Sequence, residues 1–353
     1  MSVPPTPPPA LSLKLQAAWL GRGPLALALW PLGALYAGIC ALRRAAFRAG
    51  IAPRVRLPVP VLVVGNVIAG GAGKTPTTLA LVRHLSARGW HPGIVSRGYG
   101  RHGDDAQVLQ PSHTAAQVGD EPLLMARRSG APVAVARDRA EAGRRLLAIH
   151  PEVDILVCDD GLQHLRLDRD VEVLVFDERG VGNGWYLPAG PLRDSPRRHA
   201  DLVLYNAPAP STARPGHGSR RALARPVALA AWRRGETDTA LAWEGLRARR
   251  VLAVAGVAHP ARFFSMLRAQ GLTPETLALP DHHDYAGGWP WRGWDGDVVL
   301  VTEKDAVKLD HCDDARVHVV ALDLQPDPTF FQALDELLRR RGLRPRSRRQ
   351  GHD

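Results

Sequence analysis

The residues best suited to chemistry lie in one short run, Gly70-Gly71-Ala72-Gly73-Lys74-Thr75. Glycines in such a run let main-chain N–H groups close on a phosphate that side chains would hold away. A helix starting directly behind them adds the positive end of its dipole. Lys74 then reaches the β- and γ-phosphates of ATP, and Thr75 offers a hydroxyl to Mg²⁺. The usual spacing asks for a glycine where this chain has Ile68. The G-K-T ending behind an apolar run still predicts a nucleotide site, since a plain glycine turn accounts for neither the Lys nor the Thr. Pro76 falls in the first helical turn, where a missing N–H costs little.

Phosphoryl transfer also needs a carboxylate for the metal, delivered at a strand end beside the loop. Asp159 and Asp160 close the apolar run 155–158 and are followed by Gln163 and His164. A helix cap is the alternative for one Asp; two in a row with Gln and His argue against it. A second acidic pair, Asp120-Glu121, stands where a helix begins, so an N-cap is its alternative. The third polar cluster is Asp281-His282-His283-Asp284-Tyr285. Successive side chains diverge, which makes the two His poor joint metal ligands. A single His acting with a distant carboxylate is the expected chemistry.

The elements that must position these groups alternate. Apolar runs at 60–65, 93–96, 132–136, 155–159, 171–177 and 202–206 read as strands, with helices at 75–88, 115–128 and 139–149. Runs apolar throughout predict a parallel sheet covered on both faces. The fold class is therefore α/β, a P-loop NTPase-like, mostly parallel sheet with helices on both faces. A Pro/Gly/Ser-rich stretch at 207–219 reads as a loop or boundary. Beyond it, strands at 227–232, 251–255, 298–301 and 317–322 and helices at 260–270 and 329–341 predict a second, smaller α/β unit. The expected division is an N-terminal segment 1–50, a P-loop core 51–225, a C-terminal domain 226–345 and a basic tail 346–353.

The first nine residues are Pro-rich and read as extended. An uncharged run follows at 23–42, close to the roughly 20 residues that cross a bilayer core. Pro31 and three glycines interrupt it, and basic residues flank both ends. At helical period Leu25, Leu29, Leu32, Tyr36 and Ile39 share a face, and Ala26, Gly33 and Ala37 form a face of small residues. The large face is expected to enter lipid, more as shallow insertion than as a span, while the small face packs on protein. A buried helical hairpin is the alternative.

The net charge is +11, which suits anionic partners. Lys occurs only at positions 14, 74, 304 and 308, so 42 of the 46 basic residues are Arg, a bias that genome composition also explains. No aromatic–basic interleaving accompanies the charge, so nucleic acid is not an expected partner, and no obligate protein partner is evident. Cys40, Cys158 and Cys312 are far apart, which points away from disulfides and structural zinc and towards a reducing compartment.

Seven segments in order, GNVIAGGAGKTP, SRGYG, GDEP, CDDGLQH, LPAGPLRD, PDHHDY and VTEKDAVK, resemble the tetraacyldisaccharide 4'-kinase family, over nearly the whole chain from about residue 15 to about residue 340. That family also lacks the first glycine of the usual loop. The resemblance implies transfer of the γ-phosphate of ATP to the 4'-hydroxyl of an acylated glucosamine disaccharide 1-phosphate lipid, with Mg²⁺, in lipid A biosynthesis. It also implies an enzyme at the cytoplasmic face of the inner membrane. Carried over residue by residue, Gly70, Gly71, Ala72, Gly73, Lys74 and Thr75 hold ATP, with Gln163 and His164 in support. Thr75 and Asp159 or Asp160 take the metal. Asp120 and His282 resemble a catalytic dyad at the acceptor hydroxyl, and which of them takes the proton stays open. Arg97, Tyr99, Glu121, Arg137, Arg139 and Arg193 are candidates for substrate or ATP contacts, with structural ion pairs or surface charge as the alternative for the arginines. The family often has Glu where this chain has Asp194. Glu303, Lys304 and Asp305 are expected to stabilise the domain junction rather than do chemistry. Competing readings are a kinase of a soluble metabolite and a nucleotide-switch ATPase for a partner protein.

Overall fold

A computed structural model describes residues 15, 17–101, 103–236 and 240–346. The Pro-rich opening and all of the expected tail beyond Arg346 lie outside the described residues.

The chain opens with α1 (Pro24–Arg48), whose Pro24 starts the first turn. The core sheet then builds through β1 (Val61–Gly65), α2 (Lys74–Ala87), β2 (Pro92–Ser96), β3 (Gln107–Val108), α3 (Ala115–Val118), α4 (Asp120–Ser129), β4 (Val133–Val135), α5 (Arg139–Ile149), β5 (Ile155–Cys158), β6 (Val171–Asp177), β7 (Leu202–Asn206) and β8 (His217–Leu223). A second set follows: β9 (Val227–Ala228), α6 (Leu229–Arg233), α7 (Trp243–Leu246), β10 (Val251–Ala255), α8 (Pro260–Ala269), β11 (Glu275–Ala278), β12 (Val298–Thr302), α9 (Glu303–Ala306) and β13 (Val317–Val320). The chain ends with β14 (Leu322–Pro326) and α10 (Pro328–Arg340).

Nine strands form the first sheet in the order β14-β8-β7-β6-β1-β5-β2-β4-β3, and five form the second in the order β11-β10-β12-β13-β9. Among the described residues the antiparallel pairs are β3–β4, β9–β13 and β14–β8, and the other strand pairs are parallel. β1, β2, β5 and β7 are buried along their whole length, which is why their sequences do not alternate. Separate apolar clusters cover the two faces of the first sheet.

Four expectations change. The helix expected at 115–128 breaks at Gly119, whose φ of 95° lies outside the helical range. The run expected as a strand at 227–232 pairs only through Val227 and Ala228 before its Leu-Ala-Ala segment turns helical. The stretch read as loop at 207–219 ends inside a strand, β8, that pairs with both β7 and β14. The strand expected at 317–322 is two strands, because the chain leaves the second sheet at Ala321 and enters the first. That last change alters the expected 226–345 unit, since β14 pairs with β8 and α10 packs on the first sheet. Phe330, Leu334 and Leu338 of α10 are spaced at i, i+4 and i+8 and are buried in one cluster. Each is worth roughly 1.5–3 kcal/mol. Two basic residues near the C-terminal end are also tied down: Arg341 pairs with Asp201, and the Arg346 N–H donates to Asp154 Oδ2 at 2.9 Å.

α1 is long and apolar enough to cross a membrane, with a mean hydropathy of 1.9 over its best window. Ala26 and Gly33 are its buried residues, as the small face predicts. Leu25, Leu27, Trp30, Leu32, Leu35, Ile39 and Leu42 are exposed. Tyr36, expected on the large face, turns inward instead and donates to the Arg193 carbonyl at 3.4 Å.

Candidate active site

The phosphate loop leaves β1 and enters α2, and the ends of neighbouring strands hold its shape. Gly70 and Gly73 take φ of 90° and 82°, which disfavours any other residue. A Cβ at Gly73 would overlap the Asn206 amide. That amide donates to the Ala72 carbonyl at 3.1 Å. Arg179 donates to the Ala69 and Gly71 carbonyls at 3.2 and 3.0 Å while its guanidinium rests on Asp177. The loop carbonyls are thus tied outward. Lys74 is buried, with Nζ 3.5 Å from Asn66 Oδ1 and 3.8 Å from Asp160 Oδ2. Its burial pulls the ammonium pKa down, against the pull of Asp160.

The two aspartates at the end of β5 diverge in role. Asp159 is fully buried and accepts from the Thr78 hydroxyl at 2.9 Å. Burial, then Glu121 and Asp160, raise its pKa to about 7. Asp160 has a φ of 49°, uncommon outside glycine, and its side chain turns to Arg193 at 3.1 Å. Burial pushes Asp160 up, but Lys74 and Arg193 outweigh it and the net shift is downward.

The second sheet brings the remaining groups. The 280–285 loop reaches Asp120, the first residue of α4, and His282 Nδ1 lies 3.0 Å from Asp120 Oδ2. His282 has a φ of 59°, a strained value that the surrounding contacts enforce. Buried Asp305 anchors this loop, accepting from the Tyr285 hydroxyl at 2.8 Å and the Gly256 N–H at 3.0 Å. The exposed Tyr99 ring sits 5.7 Å from the His282 ring. Hydrogen bonding to Asp120 raises the His282 pKa against its burial. Burial pushes Asp120 up, yet His282 and Lys308 leave it below the ordinary carboxylate range. Glu121 pairs with Lys304. An open cleft between the two sheets is lined by Gly73, Lys74, Thr75 and Glu121 on one wall and by Arg262, Phe263 and Lys304 on the other.

This geometry suits transfer of a phosphate between a triphosphate tail and a hydroxyl beside a His–carboxylate pair. A family model described as tetraacyldisaccharide-1-P 4'-kinase matches residues 25–339. The chain belongs to the tetraacyldisaccharide 4'-kinase family. It is 54% identical over 342 residues to the tetraacyldisaccharide 4'-kinase of Acidovorax sp. (strain JS42), covering 96% of this chain and 98% of that one. It is 53% identical to the corresponding protein of Methylibium petroleiphilum, over 92% of this chain and 93% of that one. Among solved structures, the LpxK of Aquifex aeolicus crystallised with ATP superposes with a TM-score of 0.75 at 26% identity, over 90% of this chain and 99% of that one. The protein is thus a kinase of this family, with an ATP-binding relative of the same fold.

The family's motifs do not all meet in the cleft. Gln163 donates to the Asn66 carbonyl at 3.0 Å, beneath the loop. His164 lies apart from it, with Nε2 3.1 Å from Asp138, the N-cap of α5. Arg139 is buried, donating to the Arg137 carbonyl at 3.0 Å and reaching the Asp160 carbonyl at 3.4 Å. Arg137 and Arg97 are exposed. Arg193 bridges Asp160 and Asn66. Asp194 pairs with Arg44 of α1 and with Arg198 at 2.6 Å, so the LRD segment ties α1 to the loop. The TEKDAVK segment divides: Glu303 joins Arg128 at 2.6 Å across the junction, as expected, but Lys304 and Lys308 turn to Glu121 and Asp120. Asn66, Asp177, Arg179 and Asn206 were not anticipated. Asp177 and Asn206 carry the same signal as Asp159, a polar residue ending an apolar strand.

The residues present fit Mg²⁺. Among the described residues no three His, Cys, Asp or Glu side chains form a metal cage. Mg²⁺ asks for none: it is held through one or two carboxylates together with substrate phosphates and water. A buried carboxyl lifted to about 7 among like charges, with a buried Thr75 at the start of α2, makes a hard-oxygen environment in need of positive charge.

Proposed function

We propose that this kinase transfers the γ-phosphate of ATP to the 4'-hydroxyl of tetraacyldisaccharide 1-phosphate at the cytoplasmic face of the inner membrane. The observation that carries the reading is the meeting of Asp120 and His282, from two different sheets, beside a cleft whose wall includes Lys74 and Glu121. Lys74 and the loop amides bind the triphosphate. Thr75 and Asp159 would hold Mg²⁺, with Asp160 oriented by Arg193 beside them, and the ion would supply positive charge for the phosphate oxygens. A sugar hydroxyl is a weak nucleophile, so the Asp120–His282 pair orients it and receives its proton. The remaining rate comes from positioning. A nucleotide switch has no use for such a pair. The exposed apolar face of α1 supports an acceptor that stays in the bilayer while the enzyme comes to it.

The test is transfer of ³²P from ATP to tetraacyldisaccharide 1-phosphate in detergent micelles. Lys74→Ala and Asp120→Ala each abolish most of the transfer. A wild-type protein that turns over ATP with a soluble acceptor and leaves that lipid unlabelled overturns the assignment.

A further inference from the structure

Of the four lysines in the chain, Lys14 lies outside the described residues and the other three converge on the site. Elsewhere nearly every basic position is Arg. The two side chains differ physically: Lys carries a compact point charge on a slim stem, and Arg a broad planar fork. A chain with this bias that keeps Lys beside two carboxylates is using the compact charge. Lys304 and Lys308 are four residues apart on one continuing helical turn, so they point the same way. Their targets, Glu121 and Asp120, are adjacent in the first turn of α4. The result is a ladder of two cations against two anions across the junction of the sheets.

Lys308 is the more telling rung. Its side chain is only 7% exposed, and Nζ lies 3.2 Å from Asp120 Oδ2. Nζ also lies 5.7 Å from the centre of the Tyr285 ring. At 3.2 Å from Asp120 Oδ2 the ammonium can donate to the carboxylate, and its charge favours the ionised form. His282 Nδ1 approaches the same oxygen at 3.0 Å. We infer that Lys308 is a positioning residue for phosphoryl transfer, holding Asp120 as the carboxylate that accepts the Nδ1 proton of His282 and so fixing the ring's tautomer and orientation. The inference rests on the proposed role of the Asp120–His282 pair.

A permanent positive charge at this spot favours the carboxylate and disfavours the imidazolium. It therefore lowers the proton affinity of both members, whichever takes the acceptor's proton. The other charges facing the pair include Asp281, Lys304 and Glu121. All three stay when Lys308 is changed.

The experiment follows kcat against pH with the full-length enzyme and the lipid acceptor in micelles. Lys308→Met removes the charge and keeps the stem. Its acid limb moves up by about one pH unit, kcat at neutral pH falls about ten- to a hundredfold, and KM for ATP does not change. Lys308→Arg keeps the charge and returns the limb to its wild-type position, while its broader fork lowers kcat. A folded Lys308→Met enzyme whose acid limb has not moved overturns the inference, as does a Lys308→Arg enzyme shifted like the Met variant. Melting curves identify a variant that fails to fold, and Lys308→Gln then replaces Lys308→Met in the same measurement. A wild-type enzyme inactive on the lipid at every pH defeats the acceptor assignment itself. An active wild type with an unmoved limb in Lys308→Met defeats only the role of Lys308.

Discussion

Two glycines in one helix separate the protein-facing side of α1 from its exposed apolar side. A Cβ at Gly33 would stand 2.9 Å from the Tyr186 carbonyl oxygen and 3.2 Å from Ala189 Cβ. The first obstacle is backbone, which cannot rotate away, so Gly33→Leu must push α1 outward. At Gly38 a Cβ meets nothing within 4 Å. Lifting α1 weakens the Tyr36 hydroxyl's bond to Arg193 and the pairing of Arg44 with Asp194. Overpacking of this kind costs about 1–3 kcal/mol. If that energy comes out of the docked geometry that receives the lipid acceptor, KM for the acceptor rises roughly fivefold to 150-fold. KM for ATP changes less, because the loop itself is tied by Asn206 and Arg179 and meets α1 only indirectly, through Arg193 and Asp194. The assay is phosphorylation of the acylated disaccharide in mixed micelles, with both substrates varied. Gly38→Leu adds the same bulk and the same helix propensity on the open side and leaves both constants near wild type. Equal effects from the two substitutions, or an equal rise in both KM values for Gly33→Leu, would refute the division of α1 into two faces.

Gly119→Ala is expected to lower both melting temperature and kcat: its φ is 95°, and a Cβ there meets the Tyr99 carbonyl at 3.0 Å and the Gly98 backbone at 3.2 Å, so Asp120 shifts at the head of α4. Thermal melting and micellar turnover check it, and a wild-type kcat counts against the placement of Asp120. The His282 pair also has a pH signature. The folded pKa of His282 is raised by Asp120, so its contribution to stability is complete below the unfolded value of about 6.5 and fades as pH rises through the folded one. Melting temperatures of wild type and His282→Ala should therefore differ more at about pH 5.5 than at about pH 8.5; a difference that grows with pH contradicts the raised value.

Much of the site was legible because its signals are local. Lys74 and Thr75 end a glycine run that a plain turn does not explain, even with Ile68 in place of the usual first glycine, and Asp159 ends a strand that apolar residues announce. Gly119 was readable in type but not in effect, since a helix pattern runs through it unless its φ is known. Lys304 looked like a junction charge and Lys308 had no assigned role, because nothing along the chain reveals that their turn faces Asp120 and Glu121, more than 180 residues away. The switch of sheets at Ala321 was hidden for a related reason: an apolar run reads the same whichever sheet it enters.

The alternating α/β plan, the phosphate loop and the two-faced apolar helix follow from the sequence alone, because backbone geometry and hydrophobic periodicity act over a few residues. Tertiary structure alone decided which carboxylate meets which cation. That choice depends on side chains from β5, α4, α9 and the 280–285 loop being desolvated together, and the strength of a charge contact is set by burial and distance in space rather than by separation along the chain.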